Sequence, residues 1–116
     1  YSLSLRGAIT FWRNTMTNLP TLLKKVTMFD RYEPRPRIVC VDGESLSVQA
    51  SEYNYCTPRE TGAEQYTHVE VGYPSCVPND NMMEYCEDRT DPTDTVYAYV
   101  PVEIVLEFIN EHGGIL

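Results

Sequence analysis

The first thirty residues follow a helical pattern of apolar and polar positions. Apolar side chains recur every three or four residues, which places them along one stripe of a helix. The members of this stripe are Leu5, Ile9, Trp12, Met16 and Leu19. We expect Pro20 to end or restart the helix, because proline lacks an amide proton and disfavours helical geometry in the residue before it. The stripe fits two arrangements, packing on the chain's own sheet or a seam with another subunit.

The pattern after Pro20 predicts a further short helix and then a break. The apolar positions of this second helix are Leu22, Leu23, Val26 and Phe29. Residues 32–37 contain Pro34 and Pro36, which restrict φ and remove backbone donors, so this segment is predicted to be a stiff, extended connector. The chain therefore divides into an amphipathic helical arm with its proline-rich connector, residues 1–37, and a body, residues 38–116.

Strand patterns begin directly after the connector. Two short apolar runs, residues 38–41 and 46–50, flank Asp42 and Gly43. An Asp-Gly pair between two such runs favours a tight hairpin, because the turn needs a positive φ that glycine adopts without penalty. The sequence therefore predicts an antiparallel pair of strands at this point.

Two further strands are predicted from alternating side chains. Side chains in residues 66–73 alternate between two faces of a strand. The face predicted to point into the core carries Val69, Val71 and Tyr73. The face predicted to point outward carries Tyr66, His68 and Glu70. In residues 95–100, the inward set is Val96, Ala98 and Val100, and the outward set is Tyr97 and Tyr99. Together with the hairpin, these strands make an antiparallel sheet of about four strands.

The remaining patterns predict two helices in the body. A short helix is predicted at residues 81–87, within a stretch rich in turn formers. A C-terminal helix is predicted to begin near Pro101, with an apolar stripe of Val102, Val105, Leu106 and Ile109. Gly113 is the natural residue to end it, since helix ends favour a residue with positive φ. The predicted fold class is α+β.

Charge divides the chain at the same boundary as the strand pattern. The formal net charge is -8, but residues 1–37 carry seven basic and two acidic side chains, a net charge of +5. The acidic body, residues 38–116, therefore carries -13. Such a body repels phosphates, so we expect no direct nucleic-acid binding by it. Opposite charges favour contact between the basic arm and the body, within one chain or between copies in a homo-oligomer.

The cysteines give no metal-binding pattern. The chain has four cysteines, Cys40, Cys56, Cys76 and Cys86. Their spacing contains no CxxC and no Cys/His pairing of the kind that structural zinc requires. We therefore expect neither a metal nor a cofactor. Free thiols in a cytoplasmic protein are the favoured interpretation, and a disulfide in any of three pairings stays open. No apolar run approaches the length of a membrane span and no signal peptide is recognisable, so no membrane partner is expected.

The outward face of the predicted sheet is the best candidate for a ligand site. Its polar and aromatic members, with the loop at residues 55–59, are Gln49, Tyr55, Arg59, His68, Glu70, Tyr97 and Tyr99. The rings offer stacking surfaces, and Arg59 offers a fork of donors for a carboxylate or phosphate. The alternative is that Arg59 pairs with Glu52 or Glu60 while the tyrosines cover the sheet beneath a helix.

A catalytic interpretation of the same region has little support. His68 and Glu70 suit a base and its orienter, and Cys56 a nucleophile. However, the chain contains no nucleophile elbow, P-loop, dinucleotide fingerprint or HExxH. We therefore expect a protein that is not an enzyme.

Four segments carry a resemblance to a known family. SVQAS (residues 47–51), YCTPR (55–59), VEVGYPS (69–75) and YVPVEIV (99–105) resemble, in the same order, segments of small accessory proteins carried by tailed bacteriophages. The resemblance covers residues 38–114. It implies a non-enzymatic protein of the infected bacterial cytoplasm that binds a host defence component.

Three functions fit these observations. The first is sequestration of a nucleotide immune signal by Arg59 and the tyrosines. The second is inhibition of a host nuclease complex by an acidic surface that mimics nucleic acid, with its densest part at Glu84, Glu87, Asp88, Asp91 and Asp94. The third is a structural or assembly role in which the amphipathic arm docks on another subunit.

Overall fold

The computed structural model describes residues 16–27 and 34–116. Within these ranges the elements are helix α1 (Leu19–Thr27), strands β1 (Ile38–Val39), β2 (Ser45–Gln49) and β3 (His68–Gly72), helix α2 (Asp80–Met83), strand β4 (Val96–Pro101) and helix α3 (Val102–Glu111). The strands form one antiparallel sheet in the order β1-β2-β3-β4. The predicted α+β class, the four antiparallel strands and the C-terminal helix are confirmed.

Helix α1 begins at Leu19, one residue before the proline that was expected to end or restart the helix. Asn18 caps it, because its Oδ1 accepts a hydrogen bond of 2.9 Å from the Thr21 N–H. Pro20 lies in the first turn, where its missing N–H costs nothing. Of the predicted stripe, Leu19 is half-buried and Met16 is 36% exposed. The other stripe positions, Leu5, Ile9 and Trp12, lie outside the described residues, as does Phe29.

The described part of the arm packs on the body of its own chain. Leu22 and Val26 are buried in the same core as the sheet. Thr17 and Asn110 of α3 also form a reciprocal pair: the Thr17 N–H donates to Asn110 Oδ1, and Asn110 Nδ2 donates to the Thr17 carbonyl, each at 2.8 Å. Apolar burial and paired hydrogen bonds therefore hold α1 against α3.

The β1–β2 hairpin turns where the Asp-Gly pair predicts it. Ile38 pairs with Leu46 and Val39 with Ser45, and Gly43 has a φ of 93°. The predicted hairpin is confirmed. Its turn is also held by a side chain, because Asp42 Oδ1 accepts a hydrogen bond of 2.9 Å from the Glu44 N–H.

Strand β4 contains one residue more than the strand it faces. Val69 pairs with Val100 and Val71 pairs with Tyr97, so Ala98 and Tyr99 together oppose the single residue between the two valines. Tyr97 and Val100 are both fully buried, whereas Tyr99 is 42% exposed and has a φ of 53°. The prediction that Tyr97 shares the outward face with Tyr99 is wrong, because this bulge shifts the alternation by one residue.

The ends of β3 also depart from the predicted alternation. Tyr66, expected outside, is fully buried, with its hydroxyl donating to the Glu60 carbonyl at 2.7 Å. Tyr73, expected inside, is 50% exposed with a φ of 49°. Both residues lie beyond the bounds of β3, so the two-residue period no longer sets which way they face.

The two body helices differ in how closely they match expectation. Helix α2 is shorter than the predicted residues 81–87, because the chain after it runs along β4 instead, where the Tyr85 carbonyl accepts from the Ala98 N–H. Helix α3 is ended as predicted by Gly113, which follows the C-cap residue His112 and has a φ of 91°. The Gly113 N–H donates to the Asn110 carbonyl and the Gly114 N–H to the Ile109 carbonyl, which satisfies two terminal carbonyls.

All four cysteines are free thiols. Cys40 and Cys56 are buried, and Cys76 and Cys86 are half-buried. Among the described residues, no helix has the length and apolar character needed to span a membrane.

Gly62 and Gly113 both have a positive φ, but only Gly113 has a close neighbour where a Cβ would lie. Replacing each by alanine therefore distinguishes the effect of backbone strain from the effect of steric crowding. A Cβ at Gly113 lies 3.1 Å from Val41 Cβ, whereas a Cβ at Gly62 meets nothing within 4 Å. We expect Gly62→Ala to lower the free energy of unfolding by about 1 kcal/mol through backbone strain alone, and Gly113→Ala by clearly more. Urea denaturation of both variants measures this difference. Equal losses in the two variants would contradict the close approach of Val41 to Gly113.

Candidate functional site

Three side chains form an exposed cluster on the outward side of the sheet. The Tyr55 and Tyr99 ring centroids lie 5.8 Å apart with the planes tilted by 37°. The Arg59 guanidinium carbon lies 5.3 Å from the Tyr55 ring centroid. Tyr55 and Tyr99 are 43% and 42% exposed. We call these three residues the tyrosine–arginine surface, and it brings together three of the seven predicted ligand-site residues.

Tyr99 of the β4 bulge and Glu70 of β3 both hydrogen-bond to the backbone of Tyr55. The Tyr99 N–H, displaced from the strand ladder, donates to the Tyr55 carbonyl at 3.1 Å. Glu70, opposite the bulge, accepts from the Tyr55 N–H through Oε2 at 3.0 Å. Further along the loop, Thr57 exchanges backbone hydrogen bonds with His68. The loop is thus fixed on the sheet before any partner binds.

Two other predicted ligand-site residues are occupied by contacts within the chain. Gln49 pairs with the Arg35 backbone: its Oε1 accepts from the Arg35 N–H and its Nε2 donates to the Arg35 carbonyl, each at 2.8 Å. Glu70 accepts from both Asn54 and Tyr55. The hydrogen-bonding atoms of Gln49 and Glu70 are therefore engaged within the chain.

The last two predicted ligand-site residues lie apart from the stacked rings or beneath them. Tyr97 is buried, and its hydroxyl donates to the Pro92 carbonyl at 2.6 Å. Burial raises the pKa of this hydroxyl well above its usual value. His68 is half-buried, and its Nδ1 lies 2.8 Å from the Thr67 hydroxyl.

The residues of the catalytic alternative, Cys56, His68 and Glu70, are not assembled as a nucleophile with its base. Cys56 is 1% exposed, and its thiol donates to the Ser51 carbonyl at 3.2 Å. Burial is the largest influence on this thiol and raises its pKa. Glu70, the expected orienter of His68, is engaged by the loop backbone instead.

The arginine of the surface carries no ion pair with the carboxylates expected to neutralise it. Within residues 16–27 and 34–116, no carboxylate oxygen lies within 4.0 Å of the Arg59 guanidinium. The alternative in which Arg59 pairs with Glu52 or Glu60 is therefore wrong. The guanidinium rests against the Tyr55 ring and keeps its donors exposed.

A shallow groove lies between α1 and the hairpin, away from the predicted site. It is lined by Lys25, Val26, Arg35, Pro36, Ile38 and Val48. Its accessible cavity is only about 10 Å³, roughly the room that one water molecule needs, so it is too small to hold a ligand of drug size. The groove shares no residue with the tyrosine–arginine surface.

A second cluster, which sequence reasoning missed, joins a thiol, an imidazole and a carboxylate. The Cys76 Sγ lies 3.7 Å from His112 Nε2, and His112 Nδ1 lies 2.6 Å from Asp42 Oδ2. The three residues come from the β1–β2 turn, the loop after β3 and the end of α3. No local motif could reveal them, because they lie more than thirty residues apart in the chain.

Further contacts fix the position of each residue of this thiol–imidazole–carboxylate cluster. The Asp42 N–H donates to the His112 carbonyl at 3.2 Å. The His112 ring packs on Phe108 with centroids 4.6 Å apart. Ser75, next to Cys76, exchanges two hydrogen bonds with Ser45.

Two pKa values in the cluster are displaced. Burial, followed by the nearby Glu44 carboxylate, raises the pKa of the Cys76 thiol from 9.0 to about 11. The Glu44 N–H, followed by His112, lowers the pKa of Asp42 below its ordinary 3.8. At neutral pH the carboxylate is therefore ionised and the resting thiol is protonated.

The densest acidic stretch of the sequence is exposed. Its five carboxylates stand at the surface, and they are Glu84, Glu87, Asp88, Asp91 and Asp94. The stretch starts beside the bulge, because the Tyr85 carbonyl accepts from the N–H of Ala98, the neighbour of Tyr99. The acidic stretch therefore begins next to the strand that carries Tyr99.

Three comparisons with known proteins find no match for the chain: no protein-family model, no curated protein and no solved structure matches it.

The opposite placement of two neighbouring tyrosines is testable by removing single hydroxyls. Tyr97→Phe removes the buried bond to the Pro92 carbonyl, so we expect it to lower the free energy of unfolding by about 1 to 2 kcal/mol. Tyr99→Phe alters an exposed ring and is expected to change stability by less than about 0.5 kcal/mol. Chemical denaturation compares them, and a larger loss for Tyr99→Phe would contradict the register of β4.

The carboxylate of Asp42 gives stability a defined pH dependence. Its pKa is lowered on folding, so its contribution is present above 3.8 and is lost as the pH falls through the lowered value in the folded protein. We expect wild type to melt at a higher temperature than Asp42→Asn at pH 7, with the gap narrowing below 3.8. Asp94→Asn is the control, because Asp94 is exposed and its carboxylate makes no hydrogen bond with the described residues. A gap independent of pH would contradict the assignment.

Proposed function

We propose that the protein acts by binding a basic protein of the host through the tyrosine–arginine surface. The observation that carries this proposal is the stack of Arg59, Tyr55 and Tyr99, which stays exposed although its backbone is fixed. Tyrosine and arginine are enriched among the residues that dominate binding energy in protein interfaces. Tyrosine buries a large area with only two rotatable bonds, and arginine adds a planar fork of hydrogen-bond donors. Exposed rings held this way suit a protein partner.

The fixed backbone of the loop favours binding, because the loop loses little conformational entropy when a partner binds. Tyr55 is held through its carbonyl by Tyr99 and through its N–H by Glu70. Association loses free energy for each loop or side chain that must become ordered at the interface. A loop already seated on the sheet avoids most of that loss.

Charge favours a basic partner over a phosphate-bearing ligand. Arg59 is the one cation of the surface, and exposed Glu52, Glu60 and Glu64 lie along the same connection between β2 and β3. An anionic nucleotide would enter a repulsive field, with Gln49 already engaged elsewhere. A basic protein surface instead gains from this field and from the adjoining acidic stretch.

This proposal agrees with the second of the three functions that the sequence suggests. A host protein with a basic nucleic-acid groove has the charge that the exposed carboxylates complement. The resemblance to phage accessory proteins supports a host defence complex as the source of that protein. Nucleotide sequestration is the competing function, and the experiment below separates the two.

The first experiment identifies the partner and tests the surface with matched variants. Wild-type protein is immobilised in host extract at low salt, and retained proteins are identified, purified and titrated individually. For the authentic partner we expect Tyr55→Ala and Tyr99→Ala each to weaken binding by about 2 kcal/mol, roughly 30-fold in Kd. Tyr53→Ala is the control, because Tyr53 is 82% exposed but outside the stack, and it should leave Kd unchanged.

Salt and nucleotides supply the contradicting outcomes. Complementary charge predicts that the complex weakens steeply as salt rises from about 0.05 to 0.3 M. A partner bound equally by the stack variants and the Tyr53 control would contradict the proposal. So would thermal stabilisation of wild type, but not of Arg59→Ala, by a member of a nucleotide panel, which would instead support sequestration.

A further inference from the structure

We propose that Cys76 is a nucleophile that accepts an acyl group from a neutral, apolar ester or thioester, with His112 as its general base and Asp42 positioning His112. The three side chains contact one another in the order expected of a nucleophile, a general base and a carboxylate that orients the base. Cys76 Sγ lies 3.7 Å from His112 Nε2, and His112 Nδ1 lies 2.6 Å from Asp42 Oδ2. This sequence of roles recurs on unrelated folds and is recognised by geometry.

The tautomer of His112 follows from its two partners. Asp42 is ionised and can only accept, so Nδ1 carries the proton and donates to Oδ2. In the neutral ring with Nδ1 protonated, Nε2 is the nitrogen without a proton, and it faces the Cys76 thiol as an acceptor. Because the thiol is protonated at rest, its reaction depends on transfer of that proton to Nε2.

The chemical step balances with residues that the cluster contains. As the Cys76 sulfur attacks the acyl carbon, its proton moves to His112 Nε2 and the S–C bond forms. The bond from the acyl carbon to the leaving oxygen or sulfur then breaks, and His112 returns the proton to that leaving group. The products are S-acylated Cys76 and an alcohol or thiol, with no oxidant or metal consumed.

Two peptide N–H groups lie in the loop at and next to the nucleophile. Among the described residues, no acceptor receives a hydrogen bond from the peptide N–H of Cys76 or of Val77. A peptide N–H beside the nucleophile is the usual donor to the oxygen that becomes negative during attack. These two groups are therefore suited to stabilise that oxygen.

The surroundings of the cluster indicate which acyl donors it accepts. Val41 and Val77 flank Asp42 and Cys76 in the chain and are 42% and 61% exposed, which supplies apolar contact for an acyl chain. The carboxylates of Asp42 and Glu44 both act on the Cys76 thiol, so an anionic donor would be repelled. A neutral ester or thioester with an apolar acyl group fits both features.

The test is acylation by p-nitrophenyl acetate and p-nitrophenyl butyrate at pH 7, followed by peptide mass mapping. We expect Cys76 to be acylated at least about tenfold faster than Cys86, which is also half-buried but whose thiol donates to the Asp88 carbonyl. His112→Asn, which can keep the donor to Asp42 but removes Nε2, should slow the reaction about 100-fold. Butyrate should outpace acetate in wild type, and Val77→Ser should reduce that preference.

The role of Asp42 is tested by loss and rescue. We expect Asp42→Ala to slow acylation of Cys76 by about tenfold or more, and Asp42→Glu to recover part of the rate. A purely structural role would lower the melting temperature without this recovery. Equal labelling of Cys76 and Cys86, or an unchanged rate in folded His112→Asn, would overturn the proposal. If His112→Asn does not fold, His112→Gln takes its place with the same expected loss.

Discussion

One extra residue in β4 determines what each face of the sheet presents. Because Ala98 and Tyr99 together oppose Glu70, Tyr97 and Val100 both point into the core while Tyr99 points to solvent. The bulge also releases the Tyr99 N–H from the ladder, and this donor fixes the carbonyl of Tyr55. Core packing and the exposed aromatic cluster therefore depend on the same irregularity in strand pairing.

Several carboxylates of this acidic body act as hydrogen-bond acceptors within the chain. Glu70 fixes the Tyr55 N–H, Asp42 fixes the Glu44 N–H, and Glu107 accepts from Asn79 and Asn81. Acceptors that bind backbone or amide donors give order without needing cations, which the body almost lacks. The acidic stretch beside β4 is different, since its carboxylates mostly remain available at the surface for a basic partner.

Both proposed sites are built from connecting segments that regular elements hold in place. The loop between β2 and β3 supplies Tyr55 and Arg59, while the hairpin turn and the end of α3 supply Asp42 and His112. Such segments are free of the ladder constraints that fix strand side chains, so they can carry binding and reactive groups. The sheet contributes rigidity and one irregularity, the bulge that exposes Tyr99.

Local chemistry in the sequence was enough to predict the α+β class, the Asp-Gly hairpin, a helix boundary near Pro20 and the cap at Gly113. Each of these local features depends on residues that are neighbours in the chain. Strand faces near the bulge were not predictable, since an extra residue leaves no mark on the alternation of Tyr97 and Tyr99. The grouping of Cys76, His112 and Asp42 was equally hidden. Only tertiary structure decided it, because three distant segments meet there through the packing of α3 and the hairpin.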